Sequence, residues 1–204
     1  MRFVEKVAAQ SIDTMAIGEV VDRIETLNQG IAKFWSKSDG WAPVAAAGLL
    51  GKSRLDWQAS LSGSLRHWMR EPPNALTPAE LILAWANLGS LLEGTIKTFL
   101  SVWYETYKAD IDDIKKANAY DNAKKTIHAP DGLGLEKLRN YCKAQKLLGT
   151  EGDALVELVQ QRRNAMHGNE VEFQNAVRSY LALLRTINSR LPYPDTMYEP
   201  PEYS

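Results

Sequence analysis

The sequence predicts an all-α protein folded as an antiparallel helical bundle. Two long blocks, 79–129 and 131–191, contain no proline, which is poorly tolerated inside helices. Apolar residues recur in these blocks and in an N-terminal segment at steps of three and four, and no pair of alternating strands is visible. The length of 204 residues, with 45% hydrophobic and 24% charged residues, favours one globular domain over 1–191.

The N-terminal region, 1–74, is predicted to be helical and to lie outside the core of the bundle. A first helix is expected over about 12–35, where one face collects apolar residues: Ile17, Val20, Val21, Ile24, Leu27, Ile31 and Phe34. The region 36–74 is rich in glycine, serine and tryptophan. Its looser apolar spacing predicts one shorter helix.

The clearest helix start is the run Thr77-Pro78-Ala79-Glu80. Threonine can cap the first free N–H groups, proline suits the first helical position, and glutamate at the third completes a capping box. A seam of apolar residues then continues through Leu81, Trp85, Leu88, Leu92, Ile96, Phe99 and Trp103. A strand over 95–104 is the alternative, since that stretch is rich in β-branched and aromatic residues, but the unbroken seam favours a helix.

The rest of the bundle core, 77–191, is divided by glycines and one proline. Residues 105–128 are highly charged and predict a solvated helical extension or connection. After Pro130, short helices are expected near 135–148 and 153–167, and a last amphipathic helix near 171–191. The proline-rich tail, 192–204, is expected to be extended.

Charge and composition exclude several classes of function. The chain has 24 Lys plus Arg against 25 Asp plus Glu, so any nucleic-acid site must be local. One cysteine, Cys142, excludes an intrachain disulfide framework and predicts a cytoplasmic protein. No apolar run approaches the length of a bilayer span, so no membrane insertion or secretion is expected. Three dispersed histidines give no metal-ligand spacing, and neither a metal nor a cofactor is predicted.

One stretch imitates a phosphate-binding loop. Residues 46–53, AAGLLGKS, fit the relaxed pattern in which alanine replaces the first glycine. A genuine phosphate loop follows a buried strand and precedes a helix, and no parallel-sheet pattern accompanies this one. A glycine-rich loop or helix end is the better interpretation.

The strongest candidate site is the run LVELVQQRRNAMHGN, 155–169. Thr150 and Asp153 can cap this helix. At about 100° per residue, Arg163 and His167 lie about 40° apart on one face of an unbroken helix. A bend near the helix end would place Arg162 on the same face as His167 instead. Arginine binds phosphate and histidine transfers protons near neutral pH. The residues alone favour an ordinary surface helix, with solvated arginines and a histidine that interacts with the free carbonyls at the helix C-terminus.

The run RRNAMHG, 162–168, resembles the signature of HEPN domains (higher eukaryotes and prokaryotes nucleotide-binding). That pattern is an arginine, often followed by a polar residue, with a histidine after four to six residues. Arg162 has the required spacing to His167 but is followed by Arg163; Arg163 is followed by Asn164 but has only three residues before the histidine. Arg162 is therefore the first candidate for the family arginine and Arg163 the second. The family often adds Glu-x3-Lys on an earlier helix, a form that Glu93 and Lys97 have, although such a pair is also an ordinary surface pair.

The resemblance covers the general layout of 77–190 and leaves residues 1–70 unaccounted for. It implies a HEPN-type bundle with extra N-terminal helices and a metal-independent endoribonuclease, often a toxin or antiviral effector, with catalytic Arg162, Arg163 and His167. Each chain has one histidine in the motif, so cleavage implies a homodimer with a composite cleft. RNA and an antitoxin or defence-system protein are the expected partners.

Two alternatives remain beside the ribonuclease. The same residues fit a non-catalytic helical module that binds nucleotide, RNA or a protein partner. A toxin silenced by nucleotidylation of a tyrosine two positions after the histidine is disfavoured, because Asn169 stands there. His67 and His128 are interpreted as incidental or packing histidines.

Overall fold

The chain is all-α and folds as a helical bundle, as the sequence predicts. A computed structural model describes residues 11–40, 42–70, 76–164 and 169–193. In these ranges the regular structure is helical except for one two-stranded hairpin. No helix in the described part of the chain combines the length and the apolar character needed to cross a bilayer.

The N-terminal region contains more helix than the sequence predicts. After a 3-10 turn at Ile12–Thr14, helix α1 spans Ile17–Trp35. The region 36–74 then holds two helices where one was expected: α2, Val44–Lys52, and α3, Leu55–Gly63, followed by a 3-10 turn at Ser64–Trp68. Ser53 separates them with an extended backbone (φ −70°, ψ 122°), a break that no proline marks in the sequence. The run that imitates a phosphate loop lies mostly within α2, so it is helical rather than a loop.

Helix α4, Pro78–Val102, begins as predicted, at the capping box of Thr77 and Glu80. The Thr77 side chain accepts from the Glu80 N–H, and the Glu80 carboxylate accepts from the Thr77 N–H. The seam is buried along most of its length, whereas Trp103, just past the helix end, is 39% exposed. The alternative strand over 95–104 is wrong.

The charged segment after α4 is more structured than predicted. It forms two short helices, α5 at Tyr104–Ala109 and α6 at Ile111–Lys116, and an antiparallel pair of two-residue strands, β1 at Tyr120–Asp121 and β2 at Thr126–Ile127. The sequence shows no alternating pattern at this hairpin. Four scattered apolar side chains are buried and hold the segment to the core: Tyr107, Ile114, Ala117 and Ala119. Two-residue strands are too short to produce an alternating pattern in the sequence.

Three further helices follow a 3-10 turn at Pro130–Gly132, close to their predicted positions. They are α7, Leu135–Ala144, α8, Gly149–Asn164, and α9, Glu170–Ser189. Helix α8 begins at Gly149, so Thr150 and Asp153 both lie inside the helix and neither is its cap.

The relative directions of α4, α8 and α9 follow from their contacts. Helix α8 is antiparallel to α9, since Arg162 meets Glu172 at one end and Gly152 lies beside Leu183 at the other. Helices α4 and α9 run parallel, in a register fixed by four contacts along their length: Leu76 with Glu170, Trp85 with Phe173, Thr95 with Tyr180, and Trp103 with Arg190.

The buried apolar side chains of all these elements form one cluster, from Met15 to Leu191. Helix α1 packs on α9 and α3 and contributes Val20, Val21 and Ile24, each fully buried. The N-terminal helix therefore shares the core of the bundle.

Candidate functional site

Helix α4 presents Glu93 and Lys97 on one face, one turn apart. Lys97 Nζ lies 2.8 Å from Glu93 Oε1, and the two side chains are 24% and 23% exposed. Their spacing of four residues places them side by side on the helix, as the sequence predicts. Both charges are thus partly buried and remain accessible to solvent.

Arg163, near the end of α8, reaches across to the same carboxylate. Its Nη1 lies 3.5 Å from Glu93 Oε2, and its side chain is 33% exposed. Three of the predicted site residues therefore meet: Glu93 and Lys97 from α4 and Arg163 from α8.

The crossing of Arg163 over α4 depends on Gly89. A Cβ at position 89 would lie 2.2 Å from Arg163 Cδ, closer than atoms can approach. Gly89 lies one turn before Glu93, so the missing side chain leaves a notch through which the arginine reaches the carboxylate. Sequence reasoning missed Gly89. The available signal was a glycine inside a strongly capped, amphipathic helix, where glycine costs about 1 kcal/mol and implies a packing reason.

Arg162 points to a different helix. Its Nε and Nη2 each donate to the Glu172 carboxylate, both at 2.7 Å, which raises the pKa of Arg162 chiefly through that hydrogen bond. Glu172 lies in the first turn of α9, where its N–H donates to the Asn169 side chain that caps the helix. Arg162 thus joins α8 to α9, and of the two neighbouring arginines it is Arg163 that contacts Glu93.

Another carboxylate, Glu170, connects the start of α4 to the start of α9. It is 4% exposed and its Oε1 accepts from the Leu76 N–H at 2.6 Å. Glu170 is the first residue of α9, where the partial positive charge of the helix stabilises an anion. This hydrogen bond holds the start of α4 against the start of α9. The sequence signal for Glu170 was an acidic residue directly after an asparagine that caps a helix.

The two remaining predicted site residues are Asn164 and His167. His167 lies outside the described residues. Asn164 is the last residue of α8, and its side chain is likewise outside them.

The described cluster carries two cations against one carboxylate. Lys97 and Arg163 share Glu93 between them, while Arg162 is matched by Glu172. One positive charge is therefore left over at a partly exposed position, which suits contact with a phosphate oxygen.

The other histidines and the cysteine lie apart from this cluster. His67 and His128 are exposed, and the hydrogen bonds of His128 use its backbone atoms. Burial raises the pKa of the Cys142 thiol to about 12. Within the described ranges, no three side chains of His, Cys, Asp or Glu gather in a way that could hold a metal ion.

Comparisons with models of protein families, with curated proteins and with solved structures found no match. The residues of the cluster and their geometry are therefore what a functional interpretation rests on.

Proposed function

We propose that this protein is an endoribonuclease of HEPN type that cleaves RNA without a metal ion. One observation carries the proposal: Glu93 and Lys97 on α4 and Arg163 on α8 are separated by some 70 residues of sequence and meet around one carboxylate. These are the two parts of the motif that the family resemblance singles out. Arg163, which joins the two parts, lies four residues before His167 in the chain.

Each residue has a role in this reaction. Arg163 and Lys97 bind the scissile phosphate and stabilise the charge that develops on its oxygens. Glu93 holds the two cations side by side. His167 transfers the proton: removal from the ribose 2'-hydroxyl lets that oxygen attack phosphorus and release the 5'-oxygen, which must itself be protonated. The products are a 2',3'-cyclic phosphate and a 5'-hydroxyl.

Cleavage needs two proton transfers, and each chain has one histidine in the motif. A homodimer would supply the second histidine. We propose that two copies of the chain bring their His167 side chains to a shared cleft, one acting as base and the other as acid. We further propose a cytoplasmic toxin or defence effector, controlled by an antitoxin or another protein of the same system. RNA is the substrate, and no cofactor is needed.

Cleavage of single-stranded RNAs by the purified protein, with chelator present, tests the proposal. The wild-type chain is expected to produce 2',3'-cyclic phosphate ends, and His167→Ala is expected to produce none while keeping the wild-type circular dichroism. His128→Ala is the matched control, because His128 is exposed and its hydrogen bonds use the backbone. If the wild type cuts no RNA that His167→Ala leaves intact, the proposal is wrong.

A paired substitution distinguishes the two arginines. Arg163→Ala removes the cation beside Glu93 and is expected to lower the cleavage rate by about a hundredfold, the usual loss for one charge-stabilising group. Arg162→Ala breaks a contact between α8 and α9 instead and is expected to lower the rate less. A larger loss in Arg162→Ala would assign the phosphate-binding role to Arg162.

The second candidate is a non-catalytic module that binds nucleotide, RNA or a protein partner. It is favoured by the cluster itself, since two cations beside one carboxylate suffice to hold a phosphate group. In that case His167→Ala would lower affinity for RNA in a binding assay, and no cleavage product would be seen with any variant.

A further inference from the structure

A cavity of about 190 Å³ lies at the C-terminal end of α4. It opens between the end of α4, α5, α7 and Arg190, which follows α9. Its wall begins at Phe99, two residues after Lys97, but its lining includes none of Glu93, Lys97 and Arg163. The cavity therefore has its own set of lining residues, and ligand binding there can be measured without RNA cleavage.

Two aromatic rings and a guanidinium form one side of the cavity. The Trp103 indole N–H donates to the Arg190 carbonyl at 3.3 Å, yet Trp103 remains 39% exposed. The Arg190 guanidinium carbon lies 5.0 Å from the centre of the Phe99 ring, and its Nη1 donates to the Leu147 carbonyl. The indole is thus held in position with much of its surface uncovered, and the arginine beside it is fixed.

The other side offers hydrogen-bond acceptors. Tyr141 OH donates to Asp110 Oδ2 at 2.9 Å, which fixes the carboxylate and leaves its Oδ1 with no hydrogen bond to any described residue. Gln145 donates through Nε2 to Asp113 at 2.6 Å, which leaves its Oε1 to accept. Burial, followed by the hydrogen bond to Asp110, raises the pKa of Tyr141, so its hydroxyl stays a donor at neutral pH.

These groups select a narrow class of ligand. A flat ring can stack on Trp103, adjacent N–H groups can bind the Asp110 carboxylate, and an anion can bind Arg190. A cationic ligand would be repelled by Arg190. Among the bases, guanine has a ring N–H directly beside an amino group, whereas adenine and cytosine carry an acceptor in that position and uracil has a single N–H.

We propose that this cavity binds a guanine base, with Asp110 on its N–H edge, Trp103 on its face and Arg190 on its phosphate. The volume of about 190 Å³ is below the 300–1,000 Å³ of sites for drug-sized ligands, so it suits a single base. The base arrives either as a free mononucleotide or within a nucleic-acid strand.

Calorimetric titration of the whole protein with GMP and AMP tests the site. GMP is expected to bind saturably and at least tenfold more tightly than AMP. A tenfold difference in affinity is about the effect of one hydrogen bond to a charged group. Asp110→Asn keeps the shape and is expected to abolish the preference for GMP, which a loss of packing alone would not do. Trp103→Leu is expected to weaken GMP binding, whereas Trp57→Leu, at a tryptophan that is 62% exposed and outside the cavity, is expected to leave it unchanged.

A short deoxyoligonucleotide with one guanine distinguishes the two sources of the base. It has no 2'-hydroxyl and cannot be cleaved, and Asp110→Asn separates its binding in this cavity from binding of its phosphates by Lys97 and Arg163. Tighter binding of GMP supports a free nucleotide as the ligand, and tighter binding of the oligonucleotide supports a strand. The proposal is overturned if neither binds at millimolar concentration, if AMP binds as tightly as GMP, or if Asp110→Asn retains the preference.

Discussion

Replacing Gly89 with alanine adds one methyl group where Arg163 crosses α4. An ideal Cβ at position 89 lies 2.2 Å from Arg163 Cδ, 2.9 Å from Nε and 3.1 Å from Cγ. Carbon atoms in contact are separated by about 3.5 Å, so Cδ has to move by about 1.3 Å. All three close atoms belong to one flexible side chain, so the arginine is expected to change rotamer while α4 keeps its position.

The stability and the activity of Gly89→Ala are expected to change separately. Alanine in place of glycine stabilises a helix by about 1 kcal/mol. The ion pair that is lost joins side chains 33% and 23% exposed, and such pairs are worth less than about 1 kcal/mol. The free energy of unfolding is therefore expected to stay within about 1 kcal/mol of wild type, while RNA cleavage falls about as far as in Arg163→Ala, roughly a hundredfold.

Urea unfolding, RNA cleavage and the NMR signal of the Arg163 Nε–H measure these effects. The NMR signal reports the position of the arginine without any substrate. Gly48→Ala is the matched control, since Gly48 lies within α2 and an added Cβ there meets nothing within 4 Å. The double variant Gly89→Ala/Arg163→Ala is expected to cleave no more slowly than Arg163→Ala alone. An unshifted Nε–H signal together with wild-type cleavage in Gly89→Ala would refute the reasoning.

Three further predictions concern stability and reactivity. Thr77→Ala is expected to lower the free energy of unfolding by about 1 kcal/mol through loss of the α4 cap, measured in urea; an unchanged value would contradict the role of the capping box. Hydrogen bonds, first from the Thr77 N–H, hold the pKa of Glu80 below its ordinary 4.5. Its contribution to stability is therefore present above pH 4.5 and lost as the pH falls through the lowered value; Glu80→Gln should lessen this acid dependence, and equal slopes would contradict it. Cys142, fully buried with its pKa raised to about 12, is expected to react with a thiol reagent at about pH 8 only after unfolding, and rapid reaction of the native protein would disprove this.

The long helices could be predicted from the sequence because local chemistry defines them. Thr77 and Glu80 form the predicted capping box, and the seam from Trp85 to Phe99 is buried as its spacing indicates. Both signals act within a few residues along the chain. The short elements depend on longer-range contacts: Gln58 of α3 is positioned by the Leu91 carbonyl and Thr95 of α4, which no local pattern records.

The residue types of the candidate site could be predicted from the sequence. Which of the two arginines contacts Glu93 could not. The pattern Glu-x3-Lys places Glu93 beside Lys97 on any helix, and the structure has that pair. Which of the two neighbouring arginines reaches it depends on how α8 rotates against α4. The Gly89 notch admits Arg163, and the Glu172 carboxylate binds Arg162. Neither feature lies in the same segment as the arginines.

Helix α1 and helix α9 stand at opposite ends of the chain, separated by residues 36–169, yet they complete a single core. A ribosome delivers α1 long before α9, so the growing polypeptide must keep the apolar face of α1 from aggregating while its partner is still missing. The Arg162–Glu172 bond can form only after α9 has been synthesised. Synthesis of α9 therefore precedes assembly of the bundle, and a product truncated before Glu170 would lack the residues that complete the core.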